Sequence, residues 1–310
     1  MTRWKFGALA LAIGTSLLFS GCNAGSGDGK KEGSLLNAQH IHGLSHSTDG
    51  KKLIAATHDG LHRYQNGKWT GPVGEPHDLM GFSYTKKGIF ASGHPAEGSD
   101  LPDPLGLIRS DDGGNTWKPV KFQGESDFHY MSAGFESGAI YVWNEHPNKE
   151  MKTGLYVSRD QGGKWFRVSS RGLEGKLITL AAHPTATEAL AVGTDNGVYR
   201  KPGKNQAFEK ILGGLQATAL LHDRTDPSVL WVGGHTGQPI LYKLDSKTKK
   251  KEEIPLPFSD TDDAIQFIAQ SSTDPNRLAI ATFKGHIFTS SDGGKKWEAI
   301  GKGKAEEHSH

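Results

Sequence analysis

Three observations predict an all-β fold, a β-propeller of about six four-stranded blades with seven as the alternative count. The first is a turn that occurs three times in nearly the same form: Ser110-Asp111-Asp112-Gly113-Gly114-Asn115-Thr116-Trp117, Ser158-Arg159-Asp160-Gln161-Gly162-Gly163-Lys164-Trp165 and Ser290-Ser291-Asp292-Gly293-Gly294-Lys295-Lys296-Trp297. The second is spacing. Trp69, Trp117 and Trp165 stand 48 residues apart and Trp297 follows Trp165 by 132, three steps of 44, which is the length of one blade. The third is that no long stretch after the first thirty-odd residues carries the 3.6-residue apolar period of a helix.

Along the chain, Met1 to Gly21 reads as an export signal: Arg3 and Lys5 precede an uncharged run from Phe6 to Phe19, and Ser20 and Gly21 stand before Cys22. A small residue directly before cysteine resembles the bacterial lipobox, although Phe19 stands where that pattern usually has Leu, Val or Ile. Cys22 is the one cysteine of 310 residues, so a disulfide framework is excluded and any metal would be held by His, Asp or Glu. The expectation is a lipoprotein anchored through Cys22 to the outside of a bacterial membrane. Residues 22–34 form its polar tether, residues 35–303 the propeller and residues 304–310 a polar tail. A net charge of +2 with 23% charged residues indicates neither disorder nor a nucleic-acid partner.

Within the propeller, six runs are assigned to the second strand of each blade: 53–57, 88–92, 139–143, 189–193, 229–233 and 278–282. Each is rich in Ile, Val, Leu and Ala and bounded by turn formers. The innermost strands then begin near residues 40, 78, 128, 176, 216 and 264. In the three turns, Asp accepts hydrogen bonds from the following backbone, Gly supplies positive φ, and the Trp leaves to pack into the blade. The turn at Asn66-Gly67-Lys68 before Trp69 looks like a degenerate copy.

That register assigns side chains to faces. Inner strands start at one face, the top, and the loops joining second to third strands lie there too. His40, His42, His77 and His129 fall at inner-strand starts; His58, His94, His146 and His235 fall in the adjoining loops, and His286 just past one. His46, His183 and His222 map to the bottom. The reading favoured is a ligand or metal site near the channel mouth built from His40, His77 and His129, whose three imidazoles could hold a divalent transition metal, Zn or Cu. His42, Asp78 and Asp127 are alternative ligands or ring-orienting partners, and His58 and His94 are further candidates. Neutral imidazoles would release such a metal as they protonate, around pH 6.

The repeated turns resemble the Asp-box, or BNR repeat, whose pattern is Ser-x-Asp-x-Gly-x-Thr-x-aromatic, carried here by Ser110, Asp112, Gly114 and Trp117, by Ser158, Asp160, Gly162 and Trp165, and by Ser290, Asp292, Gly294 and Trp297. Together with the signal, they make the chain similar to bacterial Asp-box propeller lipoproteins commonly labelled sialidase-like or glycosyl hydrolases. That resemblance implies an extracellular glycan as substrate, and Asp78, Asp127 and Glu145 on the top face are the catalytic carboxylate candidates. Sialidase chemistry is not expected. The arginines fall mostly beside the turns or on outer strands, and no Phe/Tyr-Arg-Ile-Pro motif is present. Other Asp-box relatives are ligand-binding receptors and assembly factors, so a protein ligand or a scaffold role is a further alternative.

Overall fold

The computed structural model describes Leu36 and residues 40–302. The expected signal, Cys22, the tether and the tail at 304–310 lie outside the described residues. Twenty-four strands form six antiparallel four-stranded sheets, each built from four consecutive strands. Blade 1 is β1 (Ile41–His46), β2 (Leu53–Thr57), β3 (Gly60–Gln65) and β4 (Lys68–Val73). Blade 2 is β5 (Asp78–Thr85), β6 (Gly88–His94), β7 (Leu107–Ser110) and β8 (Lys118–Lys121). Blade 3 is β9 (Met131–Ala133), β10 (Ile140–Asn144), β11 (Gly154–Ser158) and β12 (Trp165–Arg167). Blade 4 is β13 (Leu177–Ala182), β14 (Leu190–Thr194), β15 (Gly197–Lys201) and β16 (Glu209–Gly213). Blade 5 is β17 (Gln216–His222), β18 (Val229–His235), β19 (Pro239–Asp245) and β20 (Lys251–Glu253). Blade 6 is β21 (Ile265–Gln270), β22 (Leu278–Thr282), β23 (His286–Ser290) and β24 (Glu298–Lys302).

The predicted second strands coincide with β2, β6, β10, β14, β18 and β22 to within two residues at either end. These strands are almost wholly buried because each blade packs face to face on both neighbours. The one inner strand that starts late is β9. Phe128 donates its N–H to Ser92 Oγ of blade 2 at 2.9 Å, so the chain is held there by the neighbouring blade and joins β10 only from Tyr130, whose carbonyl accepts the Trp143 N–H at 3.0 Å.

Inner strands pack in sequence around the ring, and β21 packs against β1 to close it. Among the described residues no strand is exchanged between blades 1 and 6, and side chains bridge their junction. Leu36, Ile41, Leu44, Trp69, Ala279 and Ile300 belong to one apolar cluster spanning blades 1 and 6. Trp69 donates its indole N–H to the Ile300 carbonyl at 2.9 Å, and Arg277 donates to the Gly50 carbonyl at 2.8 Å.

The three turns join third to fourth strands and share one hydrogen-bond pattern. Ser110, Ser158 and Ser290 each donate to the Asp two residues on and accept from the Gly four residues on. Asp112, Asp160 and Asp292 each accept the N–H four residues later, at 2.8–2.9 Å. Backbone donors hold Asp112 well below the usual carboxylate range, the N–H of Thr116 first among them. The turn is also a contact between blades. A Cβ on Gly114 would lie 2.4 Å from Leu61 of blade 1, one on Gly162 2.5 Å from Leu107 of blade 2, and one on Gly294 2.7 Å from Ile254 of blade 5. The tryptophans follow suit: Trp165 packs on Phe122 of blade 2 and Trp297 donates to the Pro255 carbonyl of blade 5. The tryptophans pack at the seams, each against residues of its own blade and of the blade before it.

Candidate functional site

The top of the channel is shaped by a repeated irregularity. β1, β5, β13, β17 and β21 each shift register at their first residues, between Ile41 and Gly43 in β1 and between Asp78 and Gly81 in β5. A bulge inserts an unpaired residue and re-aims its side chain. In β1 that residue is His42, preceded by His40 at φ +43°, and His42 lines the channel.

His58, from the β2–β3 loop, completes a compact group. His42 Nε2 and His58 Nε2 face each other at 3.1 Å, and the His40 ring lies 4.8 Å from that of His58, centroid to centroid. On its other side His58 Nδ1 meets Asp78 Oδ2 at 2.7 Å, which leaves Asp78 Oδ1 buried and without a hydrogen-bond partner. His42, His58 and Asp78 each offer a ligand atom within 4.8 Å of the others. Burial first, and then the neighbouring His58, His40 and His129, push the His42 imidazole down to about 3, so it is neutral across the physiological range.

A second stretch of the network continues over blades 2 and 3. Asp127 Oδ2 is 3.2 Å from both His94 Nε2 and His129 Nε2, although neither approach is aligned as a hydrogen bond. His94 Nδ1 is held by Asp103 at 2.6 Å, and His129 Nδ1 lies 3.4 Å from Glu145. Burial, reinforced by Asp78, raises Asp127 above the usual carboxylate range against the pull of both histidines. For His94, burial acts downward but Asp103 and Asp127 outweigh it, and the net shift is up.

His77 does not join His40 and His129. It is 1% exposed, its Nε2 meets Glu75 at 3.0 Å and its Nδ1 accepts the Ala96 N–H at 3.0 Å, so both ring nitrogens serve the loops entering blade 2. The expected set of His40, His77 and His129 is therefore replaced by His40, His42 and His58, with His129 nearby. The register placed His77 correctly at the entrance to β5, but successive side chains alternate faces, and Asp78 takes the channel side. His62, given no role by the sequence, is buried on Asp59 at 3.1 Å; His235 and His286 lie apart, on Thr261 and Asp263. Asp103 and Glu75 became visible as histidine partners only through the fold, since the loops that carry them have no periodicity.

No family model matches the chain. Over 86 residues, 26% of its length, it is 30% identical to a xyloglucanase of Hypocrea jecorina (strain QM6a), of which the match covers 10%. Among solved structures it resembles the GH74 xyloglucanase from Xanthomonas campestris, with a TM-score of 0.55, 15% identity and 87% of this chain covered against 46% of that one. The GH74 enzyme of Niastella koreensis gives a TM-score of 0.57 at 14% identity, with 86% and 46% covered. YCF48 bound to D1 peptide gives 0.50 at 16%, with 86% and 83% covered. The chain thus spans a tenth of the curated relative and a little under half of the two GH74 structures. At these structural identities the likeness is one of propeller fold.

Proposed function

We propose that this protein is an Asp-box propeller lipoprotein, anchored through Cys22 outside the cell membrane, whose top face binds a divalent transition metal through His42 and His58. Asp78 orients His58, and His40 stands beside them as a third imidazole. The observation that carries the reading is the pair of facing Nε2 atoms at 3.1 Å, backed by a carboxylate with a buried, unpartnered oxygen. Two metal–nitrogen bonds of 2.0–2.1 Å separate their nitrogens by about 2.9 Å at a right angle and about 3.3 Å at the tetrahedral angle. The spacing suits square Cu(II) or tetrahedral Zn(II) equally. The carboxylate behind His58 is the arrangement that fixes the tautomer of a metal-binding ring.

The test is elemental analysis of full-length protein exposed to Zn or Cu and then desalted. His42→Ala with His58→Ala is expected to lose the metal, and His77→Asn to keep it. Equal metal in wild type and the double variant would overturn the site. For the anchor, Cys22→Ala is expected to release the protein from membranes, and unchanged retention would overturn the lipoprotein reading.

A second reading, glycan hydrolysis, rests on Asp127. A buried carboxyl held above its usual range is suited to act as a general acid. The His129 ring lying between Asp127 and Glu145 keeps their facing oxygens within about 9 Å, inside the span of glycosidase carboxyl pairs. Xyloglucan is the first substrate to try, from the names of the matched enzymes. Turnover abolished by Asp127→Asn and Glu145→Gln would favour this reading over simple binding.

A further inference from the structure

At the opposite end of the channel the inner strands finish beside a cation, Arg224, that has no paired anion among the described residues. One cavity of about 550 Å³ runs from His42 and His129 at the top to Arg224, just past the end of β17. Arg224 reaches from blade 5 to blade 3, where its guanidinium carbon lies 4.2 Å from the centre of the Phe135 ring. Its Nε is buried without a hydrogen-bond partner, and among the described residues its guanidinium forms no ion pair. The nearest carboxylates are committed elsewhere. Asp223 accepts from Thr225, Asp226, Trp231 and Gln270, and Glu136 pairs with Lys86 at 2.7 Å.

Two buried histidines stand near Arg224, outside the cavity lining. His222 and His46 end β17 and β1, each is 5% exposed, and both are depressed in part by the charge of Arg224. His222 Nδ1 is engaged by the Pro227 carbonyl at 2.8 Å, but its Nε2 has no partner. Neither ring nitrogen of His46 has an aligned hydrogen bond, only an approach to the Lys52 carbonyl. A buried charge without a counter-ion is costly, and so is each unsatisfied donor. Burial accordingly pushes Arg224 down to about 10.

We propose that the floor of the central channel binds an oxyanion, the carboxylate of a small organic acid, gripped by Arg224. The planar guanidinium fork matches a carboxylate in two parallel hydrogen bonds. Met80, Phe82, Leu180, Leu220 and Phe267 line the cavity above it, so an apolar body attached to that carboxylate has a wall to lie against. A phosphate group presents the same oxygen chemistry without that body.

The experiment is a thermal-denaturation titration of full-length protein with acetate, hexanoate, benzoate and inorganic phosphate, with sodium chloride at matched ionic strength as control. Hexanoate or benzoate is expected to raise Tm in a saturable way beyond chloride, and more than acetate does. A response to phosphate alone would retain the oxyanion site and reassign its ligand. Arg224→Gln is expected to fold with unchanged or higher Tm in anion-free buffer, since an uncompensated cation is removed, and to lose the response. Arg224→Lys keeps the charge without the fork and is expected to bind at least tenfold more weakly. The double variant His42→Ala, His58→Ala should respond as wild type does, which separates this site from the metal reading. No response beyond chloride to any of the four anions, or a full response in Arg224→Gln, would overturn the proposal.

Discussion

Acid should destabilise this propeller through its buried, neutral histidines, His46 and His222 towards the bottom of the channel as well as His42 at the top. His46 and His222 are each 5% exposed and held down to about 4 from 6.5, by burial first and then by Arg277 for His46 and His183 for His222. Between those two values the unfolded chain binds protons that the folded chain refuses, so stability falls as pH drops below 6.5, and the loss is complete near pH 4. At pH 5 the linkage amounts to about 2 kcal/mol for each histidine, or about 4 kcal/mol together, against a total of roughly 5–15 kcal/mol for a typical domain. Asp127 and His94, whose folded values are raised, work in the opposite direction and reduce the net effect. The assay is urea unfolding at pH 8, 6.5 and 5 in buffers free of carboxylate and phosphate, for wild type, His46→Gln and His222→Gln. Each variant should remove about 2 kcal/mol of the difference between pH 8 and pH 5, whatever its stability at pH 8. Wild-type stability that is equal at pH 5 and pH 8, or variants that keep the full acid loss, would refute the assignment of these rings as buried and neutral.

Two further perturbations address how the ring is held. Trp69→Ala removes the largest side chain at the junction of blades 1 and 6 together with its hydrogen bond to Ile300, and should cost about 3–5 kcal/mol in urea unfolding. Because among the described residues no strand crosses that junction, amide exchange should rise first in blades 1 and 6; a uniform rise would contradict closure by side chains. Gly114→Ala places a methyl 2.4 Å from Leu61 at φ +95°, and overpacking with backbone strain should cost about 1–3 kcal/mol. Pairing it with Leu61→Ala should restore part of that loss, and a strictly additive double variant would mean that strain in the turn alone is responsible.

The blades were legible because their signals are local. Leu53 to Thr57 and Leu278 to Thr282 are buried on both faces, so each reads as a continuous apolar run bounded by turns, and the Ser-Asp-Gly turns carry their own hydrogen bonds. The site was legible only to the level of a face. Register assigned His40, His42, His58 and His77 to the top, but which rings converge depends on the bulge at His42 and on the alternation that sends His77 inward to Glu75 and Asp78 to the channel. Neither event has a sequence marker that composition or period could reveal. Arg224 was hidden for a related reason. In the sequence it stands among the turn formers Asp223, Thr225, Asp226 and Pro227, and its reach from blade 5 to Phe135 of blade 3 exists only once the ring has closed.

The two ends of the channel follow opposite electrostatic rules although the same six strands build both. At the top, His58, His94 and His129 each stand against a carboxylate, and for His58 and His94 that carboxylate, Asp78 or Asp127, comes from the next blade around the ring. Such pairing fixes ring orientation and favours a cation between the imidazoles. At the floor, Asp223 and Glu136 are consumed by Gln270, Trp231 and Lys86, so among the described residues Arg224 faces the cavity without a paired counter-charge. An acid with an apolar body entering this channel would therefore meet a cation-seeking rim at one end and an anion-seeking floor at the other. Without a metal its carboxylate has one favourable depth, at Arg224, whereas a divalent metal held by the neutral rings of His42 and His58 would keep its positive charge and offer the carboxylate a second depth at the rim.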